Sequence, residues 1–339
     1  MTRLPERNLD LMRAVAVLLV AFDHVMGASR FAASYDWWVL GRLGVLLFFV
    51  HTSLVLMASL ERGGTARGWV GRFYVRRACR IYPLTIVCVL LVAGLHLPTT
   101  FSLRTILANV LLIQNLTVGT PNVIGVLWSL PIEVQMYVML PLCWRAACGP
   151  LRNMAVLVAV FVALGIVVML PLPGVWRLSV FLFGPCFCGG VLAYSLLRRG
   201  RPAPIASHVW PAMLGAVAAG VMLLHPTPER VWLGWGPCLL LGLLIPQVRE
   251  MRASRLTRVA HWIAKYSYGI YLVHKPLLTL WRGSPLPSAA QWAGWAVSVA
   301  LVSMLLYAAV EAPMIRLGNR LVASRARTGG ELGVAEPAP

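Results

Sequence analysis

The chain has 339 residues, of which 59% are hydrophobic and only 12% are charged, and its mean hydropathy is +0.76. This composition excludes an ordinary soluble domain and indicates an integral membrane protein. A net charge of +19 would also suit a nucleic-acid-binding protein. The basic residues, however, are distributed as membrane topology requires, so we expect membrane lipids as partners and no nucleic acid.

Apolar stretches long enough to cross a membrane recur along most of the chain. We interpret them as ten transmembrane helices at residues 9–27, 38–60, 79–97, 125–144, 153–171, 177–197, 209–225, 231–247, 266–282 and 290–311. The amphipathic segment 103–118 is too polar to be counted with them, and it either crosses, re-enters or lies in the interface. The predicted fold class is all-α, a polytopic transmembrane helical bundle over residues 1–317, with a disordered tail at 318–339.

Ten spans divide the connecting segments into two sets with very different charge. Of the 30 Lys and Arg residues, 22 fall in one set, namely the N-terminus, 61–78 with the start of the third span, 145–152, 198–208, 248–265 and the C-terminal tail. The loops of the other set carry only Arg30, Arg104, Arg177, Arg230 and Arg282. The positive-inside rule therefore predicts that both termini are cytoplasmic. Counting 103–118 as a span would destroy this asymmetry.

The first predicted helix carries Arg13, Asp23 and His24 in an otherwise apolar run. A charged side chain at the bilayer centre costs about 2.5–3.5 kcal/mol on insertion scales, so these groups should face a protein interior or a watery cavity. The spacing of Arg13 and His24 places them within about 20° of one helix face and about 16–17 Å apart. They either hold two ends of a long ligand or serve as buried structural partners.

The third helix begins with a pair of arginines, Arg77 and Arg80, which are three residues apart and share one helix face. Two guanidinium groups at a membrane boundary suit a ligand that bears phosphates, because each can make bidentate contacts. The alternative is an ordinary basic anchor or a clamp on lipid headgroups.

Two later helices also contain polar residues at membrane depth. Glu133 lies in the fourth helix, with Tyr137 one turn further on the same face, and His274 lies in the middle of the ninth. A carboxylate inside a membrane is costly unless it is paired or functional. Glu133 therefore either takes part in function or neutralises a buried arginine such as Arg13 or Arg42, and His274 is either functional or a hydrogen-bonded packing residue.

Taken in order, these residues resemble the motifs of the membrane-bound acyltransferase-3 family, bacterial O-acyltransferases that modify exported glycans. The Arg-x10-His pattern of that family's first helix matches Arg13 and His24. Later motifs match Arg76, Arg77, Arg80, Ile81, Tyr82 and Pro83, then Trp128, Ser129, Leu130, Glu133 and Tyr137, then Ser267, Tyr268, Tyr271, Leu272 and His274, and finally Glu311 and Pro313. The resemblance covers residues 9–317 and matches the form without a fused periplasmic esterase-like domain.

The chain departs from the family pattern at two carboxylate positions. Leu46 stands where the second helix usually has Asp, and Val134 stands where a second Glu often follows Glu133. We therefore expect no role for a second carboxylate and an unusual acceptor pocket.

The resemblance implies an integral membrane enzyme that moves a short acyl group, acetyl in the first instance, from cytoplasmic acyl-CoA to a hydroxyl of a cell-surface or exported glycan. The acceptor would be that glycan or a lipid-linked saccharide, and the enzyme would reside in the cytoplasmic membrane of a bacterium as a monomer or homo-oligomer. No metal ion is expected.

The implied donor site comprises Arg77 and Arg80 on the CoA phosphates and Arg13 on the cofactor's arm, with Arg13 also assigned to catalysis. His24 lies near the outer end of the first helix. We expect it to act as the base for the acceptor hydroxyl, a task that histidine suits at neutral pH, or to carry the acyl group itself.

Glu133 is expected at a similar depth to His24 and is the carboxylate predicted to polarise His24 or the acceptor. Asp23 adjoins His24 in sequence but leaves the helix about 100° away, so it is the weaker candidate. The acceptor is predicted to be bound by His274, Tyr137 and Trp128.

The rival interpretation is a multi-span transporter or flippase of a glycan or lipid-linked precursor, which would also carry charges inside its helices. The sequence shows no inverted repeat and no matched pair of broken helices, and this favours the enzyme.

Overall fold

The computed structural model of the chain is helical, and it confirms the predicted all-α class. It describes residues 2–29, 31, 35–64, 68–95, 101–170, 179–200, 203–224 and 232–331. Within these residues no β-strand forms, and one isolated bridge pairs Ile205 with Val248.

The α-helices of the described residues are α1 (Glu6–Gly27), α2 (Trp38–Gly63), α3 (Trp69–Leu95), α4 (Leu103–Val110), α5 (Ser129–Cys148), α6 (Leu151–Met169), α7 (Ser179–Leu182), α8 (Gly184–Arg198), α9 (Trp210–Leu224), α10 (Trp235–Leu244), α11 (Arg255–Arg282), α12 (Ser288–Leu306) and α13 (Ala312–Glu331). A π-helical turn, Tyr307–Glu311, joins α12 to α13. Helix occupies most of the described part of each of the ten ranges interpreted as spans, although residues 125–128 form a turn before α5.

Five of the described helical stretches are long and apolar enough to cross a membrane, namely Trp38–Gly63, Trp69–Leu95, Leu151–Met169, Ser207–Leu224 and Ser288–Ala323. The long helices α1, α5 and α11 fall outside this set, and they carry Arg13, Asp23 and His24, Glu133, and His274 respectively. Polar side chains at membrane depth must face protein or water. Accordingly, α1 packs between α2 and α11 in the interior of the bundle.

The polar segment 103–118 does not form one long helix. Helix α4 has eight residues and is therefore about 12 Å long, too short for a hydrocarbon core of about 30 Å. Its Asn109 holds the chain that follows, because the side-chain amide donates to the Pro121 carbonyl (2.9 Å) and accepts from the Val123 amide (3.0 Å). Asn109 thus stabilises the loop between α4 and α5 through these hydrogen bonds.

Contacts between helix ends show which loops lie together. The Thr2 amide donates to Glu61 (2.8 Å), and the Glu61 carboxylate also lies 3.8 Å from Arg198. Arg198 in turn donates to the Cys148 carbonyl (3.0 Å). The N-terminus and the ends of α2, α5 and α8 therefore meet at one end of the bundle, which we name the basic end. These segments are among those that the charge distribution assigns to the cytoplasm.

Glycines allow the central helices to approach closely, as is common where helices pack in membranes. A Cβ atom on Gly44 of α2 would clash with the Ala16 carbonyl oxygen and would lie 2.8 Å from Val20. Between α3 and α13, a Cβ on Gly318 would lie 2.8 Å from the Cys79 Cβ. Helix α13 thus packs on α3 and continues through residue 331. Residues 332–339 lie outside the described residues, and the disordered tail stays a prediction.

Candidate active site

Helices α1, α2, α3, α5 and α11 line a cavity of about 690 Å³, which we name the first cavity. Among its lining residues are three cations and one carboxylate: Arg13, Arg77, Arg80 and Glu133. These four residues come from three different helices, and the sequence singled out all of them. The structure therefore brings the predicted donor-binding arginines into one chamber.

Arg13 is held in place from two sides. Its Nε donates a hydrogen bond to the Ser267 hydroxyl on α11 (2.6 Å), and its guanidinium lies 5.7 Å from the centre of the Phe48 ring on α2. Hydrogen bonding and ring contact fix the direction of a long side chain that would otherwise sample many rotamers. Arg13 thus points into the first cavity in a defined orientation.

Glu133 and Tyr137 lie one turn apart on α5, and the Tyr137 hydroxyl donates to the Glu133 carboxylate, which confirms that they share a face. The Thr52 side chain also hydrogen-bonds Glu133, while Arg13 and Arg77 act on it as nearby positive charges. A carboxylate inside the bundle requires such partners. Glu133 thus supplies the counter-charge for two arginines of the first cavity.

The two arginines of α3 differ in their partners. Arg80 forms an ion pair with Glu311, which is buried in the π-helical turn after α12. The buried Nε of Arg77 has no hydrogen-bond partner among the described residues. A buried donor without a partner is unfavourable. Arg77 thus keeps a donor free for a ligand, whereas part of the Arg80 guanidinium is already engaged by a carboxylate.

A second cavity of about 570 Å³ lies further along α1, and Val45 and Tyr271 line both it and the first cavity. Its polar lining includes Asp23, His24 and Arg42. A third cavity of about 1030 Å³ shares Asp23 and His24 with the second and lies at the ends of α1 and α11 away from the basic end. The three cavities thus lie one after another along α1, the first at Arg13 and the second and third at His24.

His24 makes two contacts with polar or aromatic groups. Its Nδ1 lies 3.1 Å from the Asp23 carboxylate, and its ring centre lies 5.1 Å from that of His274. An ionised carboxylate only accepts hydrogen bonds, so this contact assigns the proton to Nδ1 and leaves Nε2 as the basic nitrogen. The side chain is 20% exposed, so it is accessible from the cavities that it lines.

Two expectations about the carboxylates near His24 were wrong. Asp23 was expected to point away, but its side chain turns back to His24 and fills the space beside Gly41, where a Cβ atom would clash with it. Glu133 was expected at a similar depth to His24, in a position to polarise His24 or the acceptor, but it lines the first cavity, whereas His24 lines the second and third. Position along one helix does not fix the relative depth of residues on two helices.

The three predicted acceptor-binding residues are placed differently from one another. Trp128 lines the second cavity together with His24, whereas Tyr137 lines the first. His274 is fully buried and lines none of the three cavities. Its Nδ1 lies 2.9 Å from the Ile270 carbonyl, and its Nε2 has no partner among the described residues. His274 therefore packs against His24 behind the cavity wall.

The described part of the chain contains no group of three or more His, Cys, Asp or Glu residues arranged to hold a metal ion.

A known family, described as "Acyltransferase domain", matches residues 6–310 of the chain. The chain belongs to this acyltransferase family. The matched range includes every residue that lines the three cavities. It also decides between the two interpretations of the sequence in favour of the enzyme.

Two characterised relatives are similar to this acyltransferase. It is 24% identical to the peptidoglycan O-acetyltransferase OatA of Listeria monocytogenes serovar 1/2a, over 80% of this chain and 49% of that protein. It is 27% identical to nodulation protein 10 of Rhizobium leguminosarum bv. viciae, over 94% of this chain and 95% of that protein. The chain thus spans about half the length of OatA. No solved structure matches it.

The family motifs did not include two charged residues that line the second cavity, Arg42 and Asp23. Arg42 is visible in the sequence as a charged residue in an apolar helix, but the sequence offered it only as a partner for Glu133. The contact of Asp23 with His24 depends on the side-chain rotamer of Asp23, which the sequence does not show. Leu46, the departure from the family's Asp, packs toward Gly234 and lines none of the three cavities.

Proposed function

We propose that this acyltransferase is a membrane-bound O-acyltransferase that moves a short acyl group, acetyl in the first instance, from cytoplasmic acyl-CoA to a hydroxyl of a cell-surface or exported glycan. One observation carries the proposal. A cavity with an arginine cluster and a cavity with a histidine adjoin along a single helix, α1. The similarity to OatA, a peptidoglycan O-acetyltransferase, supports this chemistry, and both relatives are bacterial proteins.

The donor binds from the basic end. Arg77 and Arg80 hold the CoA phosphates, and Arg13 contacts the arm that carries the thioester along α1 toward His24. Arginine suits this role because its planar fork makes bidentate contacts with phosphate oxygens. Glu133 supplies the counter-charge of Arg13 and Arg77 and so holds them in position. This role replaces the polarisation of His24 that the sequence suggested for Glu133.

The acceptor hydroxyl enters the second cavity and binds beside His24, with the Trp128 ring as part of its wall. The Nε2 atom of His24 takes the proton from the hydroxyl as its oxygen attacks the thioester carbonyl. The tetrahedral intermediate collapses, the carbon–sulfur bond breaks, and the proton passes from His24 to the departing CoA thiolate. Asp23 acts as a positioning residue by holding the Nδ1 proton throughout.

The basic end faces the cytoplasm in this proposal, because basic segments are retained there. The acyl donor would then enter from the cytoplasm, and the third cavity, next to His24, would receive an acceptor from the outer side of a bacterial cytoplasmic membrane. The adjoining positions of the three cavities support this division of the two substrates.

Sealed membrane vesicles of opposite orientation would test the proposal. We would supply acetyl-CoA labelled in the acetyl group, with succinyl-CoA as the alternative donor, and follow label that enters glycan and is released by mild alkali, as an ester requires. We expect transfer when the donor meets the basic end, with one CoA released per ester formed. Vesicles with the chain that transfer no more label than vesicles without it would contradict the proposal.

A further inference from the structure

The cavities around His24 are rich in positive charge although they lie away from the basic end. Arg42 lines the second cavity, and Lys275 and Arg282 line the third. The carboxylate that lines them is Asp23, whose Oδ2 is engaged with His24. The loops at this end of the bundle are otherwise poor in basic residues. Positive charge is therefore concentrated where the acceptor would bind.

Arg42 is held by rings rather than by an opposite charge. Its guanidinium lies 5.8 Å from the centre of the Trp38 ring and 5.4 Å from that of Phe183. Within the described residues no carboxylate pairs with it and no acceptor receives a hydrogen bond from it. A guanidinium has five N–H donors, and leaving them unused at membrane depth is unfavourable. The arrangement orients Arg42 and leaves its donors for a ligand.

Lys275 shows the same lack of an internal partner. Its side chain runs along Gly125, with Nζ 2.5 Å from the position that a Cβ atom would take there. No carboxylate pairs with it in the described part of the chain. Arg282 differs, because it donates to the Gln291 side chain (2.8 Å) and lies 5.2 Å from the centre of the Trp292 ring. Among the described cations that line the second and third cavities, Lys275 and Arg42 are thus the ones without a hydrogen-bond or ion-pair partner in the protein.

We propose that the acceptor is an anionic saccharide whose carboxylate or phosphate binds Arg42, with Lys275 adding to the attraction. This inference rests on the proposed function and deepens it by naming the class of acceptor. Arginine binds such groups with two parallel hydrogen bonds. Trp38 and Trp128 line the same cavity and provide apolar walls for a sugar ring. An anionic group at Arg42 would orient the saccharide so that a hydroxyl meets His24.

The test compares two oligosaccharides that differ only in charge. One is a tetrasaccharide that contains glucuronate, and the other is its carboxyl-reduced counterpart, in which each carboxylate has become a primary alcohol. Binding to the donor-free protein in phosphatidylcholine nanodiscs would be followed by tryptophan fluorescence, since two tryptophans line the cavity. We expect the anionic form to bind about 10- to 100-fold more tightly, the range expected for hydrogen bonds to a charged group.

Variants locate the effect. Arg42→Gln should abolish the preference for the anionic form, Arg42→Lys should retain part of it, and Arg104→Gln, which changes an exposed cation of α4, should leave it intact. Monodispersity on gel filtration would confirm that each variant is folded. The preference should also weaken with salt.

Equal binding of the two oligosaccharides by the wild-type protein would overturn the inference without any use of a variant. It would also fall if anionic lipid in the nanodiscs competed fully with the oligosaccharide, because the cations would then form a headgroup site. The assay measures binding alone, because it contains no acyl donor and no acyl transfer takes place. Acyl transfer without a charge preference would therefore remove the inference alone, and a charge preference without acyl transfer would remove the proposed function.

Discussion

The first cavity and the cavities around His24 handle charge in opposite ways. In the first cavity, Arg80 is paired with Glu311, and Glu133 supplies negative charge near Arg13 and Arg77. Around His24, the guanidinium of Arg42 contacts the rings of Trp38 and Phe183, and no carboxylate of the described residues forms an ion pair with it. A site with its own counter-charges is preorganised and can accept one recurring ligand, whereas a site without them depends on the ligand to supply the charge. This difference in counter-charge is what we expect if the first cavity always binds the same acyl donor and the second binds a charged acceptor.

The largest effect should come from His24. Replacement by Ala, Asn or Gln should lower the rate of acyl transfer by roughly 10²–10⁴-fold, because a positioned base is lost. Donor binding should change little, since His24 lies outside the first cavity. His208→Ala, at an exposed histidine, is the matched control. A His24→Ala protein that inserts normally and acylates at the wild-type rate would remove His24 from the mechanism.

Asp23→Asn should have the next largest effect. The amide can donate to Nδ1 and so favour the wrong tautomer of His24, and we expect a loss of about 10- to 100-fold in kcat with little change in the KM for the donor. Gly41→Ala should behave similarly, because its methyl group would take the place of the Asp23 carboxylate.

The control for Asp23 is Asp10→Asn. Asp10 also lies on α1 and also contacts a histidine, His261, at 2.8 Å, but at the basic end. Equal losses for the Asp10 and Asp23 variants would show that the effect concerns helix stability rather than the orientation of His24.

A smaller effect is expected in the first cavity. Replacing Arg77 and Arg80 together by Lys should raise the KM for acyl-CoA about 10-fold, because ammonium groups lose the bidentate geometry, and should leave kcat within a few-fold. The same double replacement at Arg62 and Arg145, exposed arginines near the basic end, should do little. If both pairs behaved alike, the arginines of α3 would serve only as membrane anchors.

The membrane topology can be tested by cysteine labelling, which does not depend on the activity of the protein. On a background free of the seven native cysteines, single cysteines placed at Arg62 and Arg145 should react with an impermeant reagent only from the cytoplasm. A cysteine at Leu286 should react only from outside. Labelling of Arg145→Cys from outside would reverse the direction in which donor and acceptor approach.

The sequence predicted the helices well because the apolar runs and the asymmetry of charge are local signals. It also predicted that Glu133 and Tyr137 share a helix face, since that follows from the helical repeat. It could not place Arg80 against Glu311, because their pairing joins distant helices at a π-helical turn. Nor could it predict the contact of Asp23 with His24, which depends on a side-chain rotamer and on the space beside Gly41.

The position of Tyr271 has a consequence for the membrane as a barrier. Its ring lies where the first and second cavities meet, and its hydroxyl is tied to Ser129 (2.7 Å) and to the Val126 carbonyl. In the proposed mechanism the arm of the acyl donor passes this junction, and an open path there would let protons cross the bilayer and dissipate the membrane potential. We therefore expect the fixed Tyr271 ring to narrow the junction and to limit ion leakage while the arm passes.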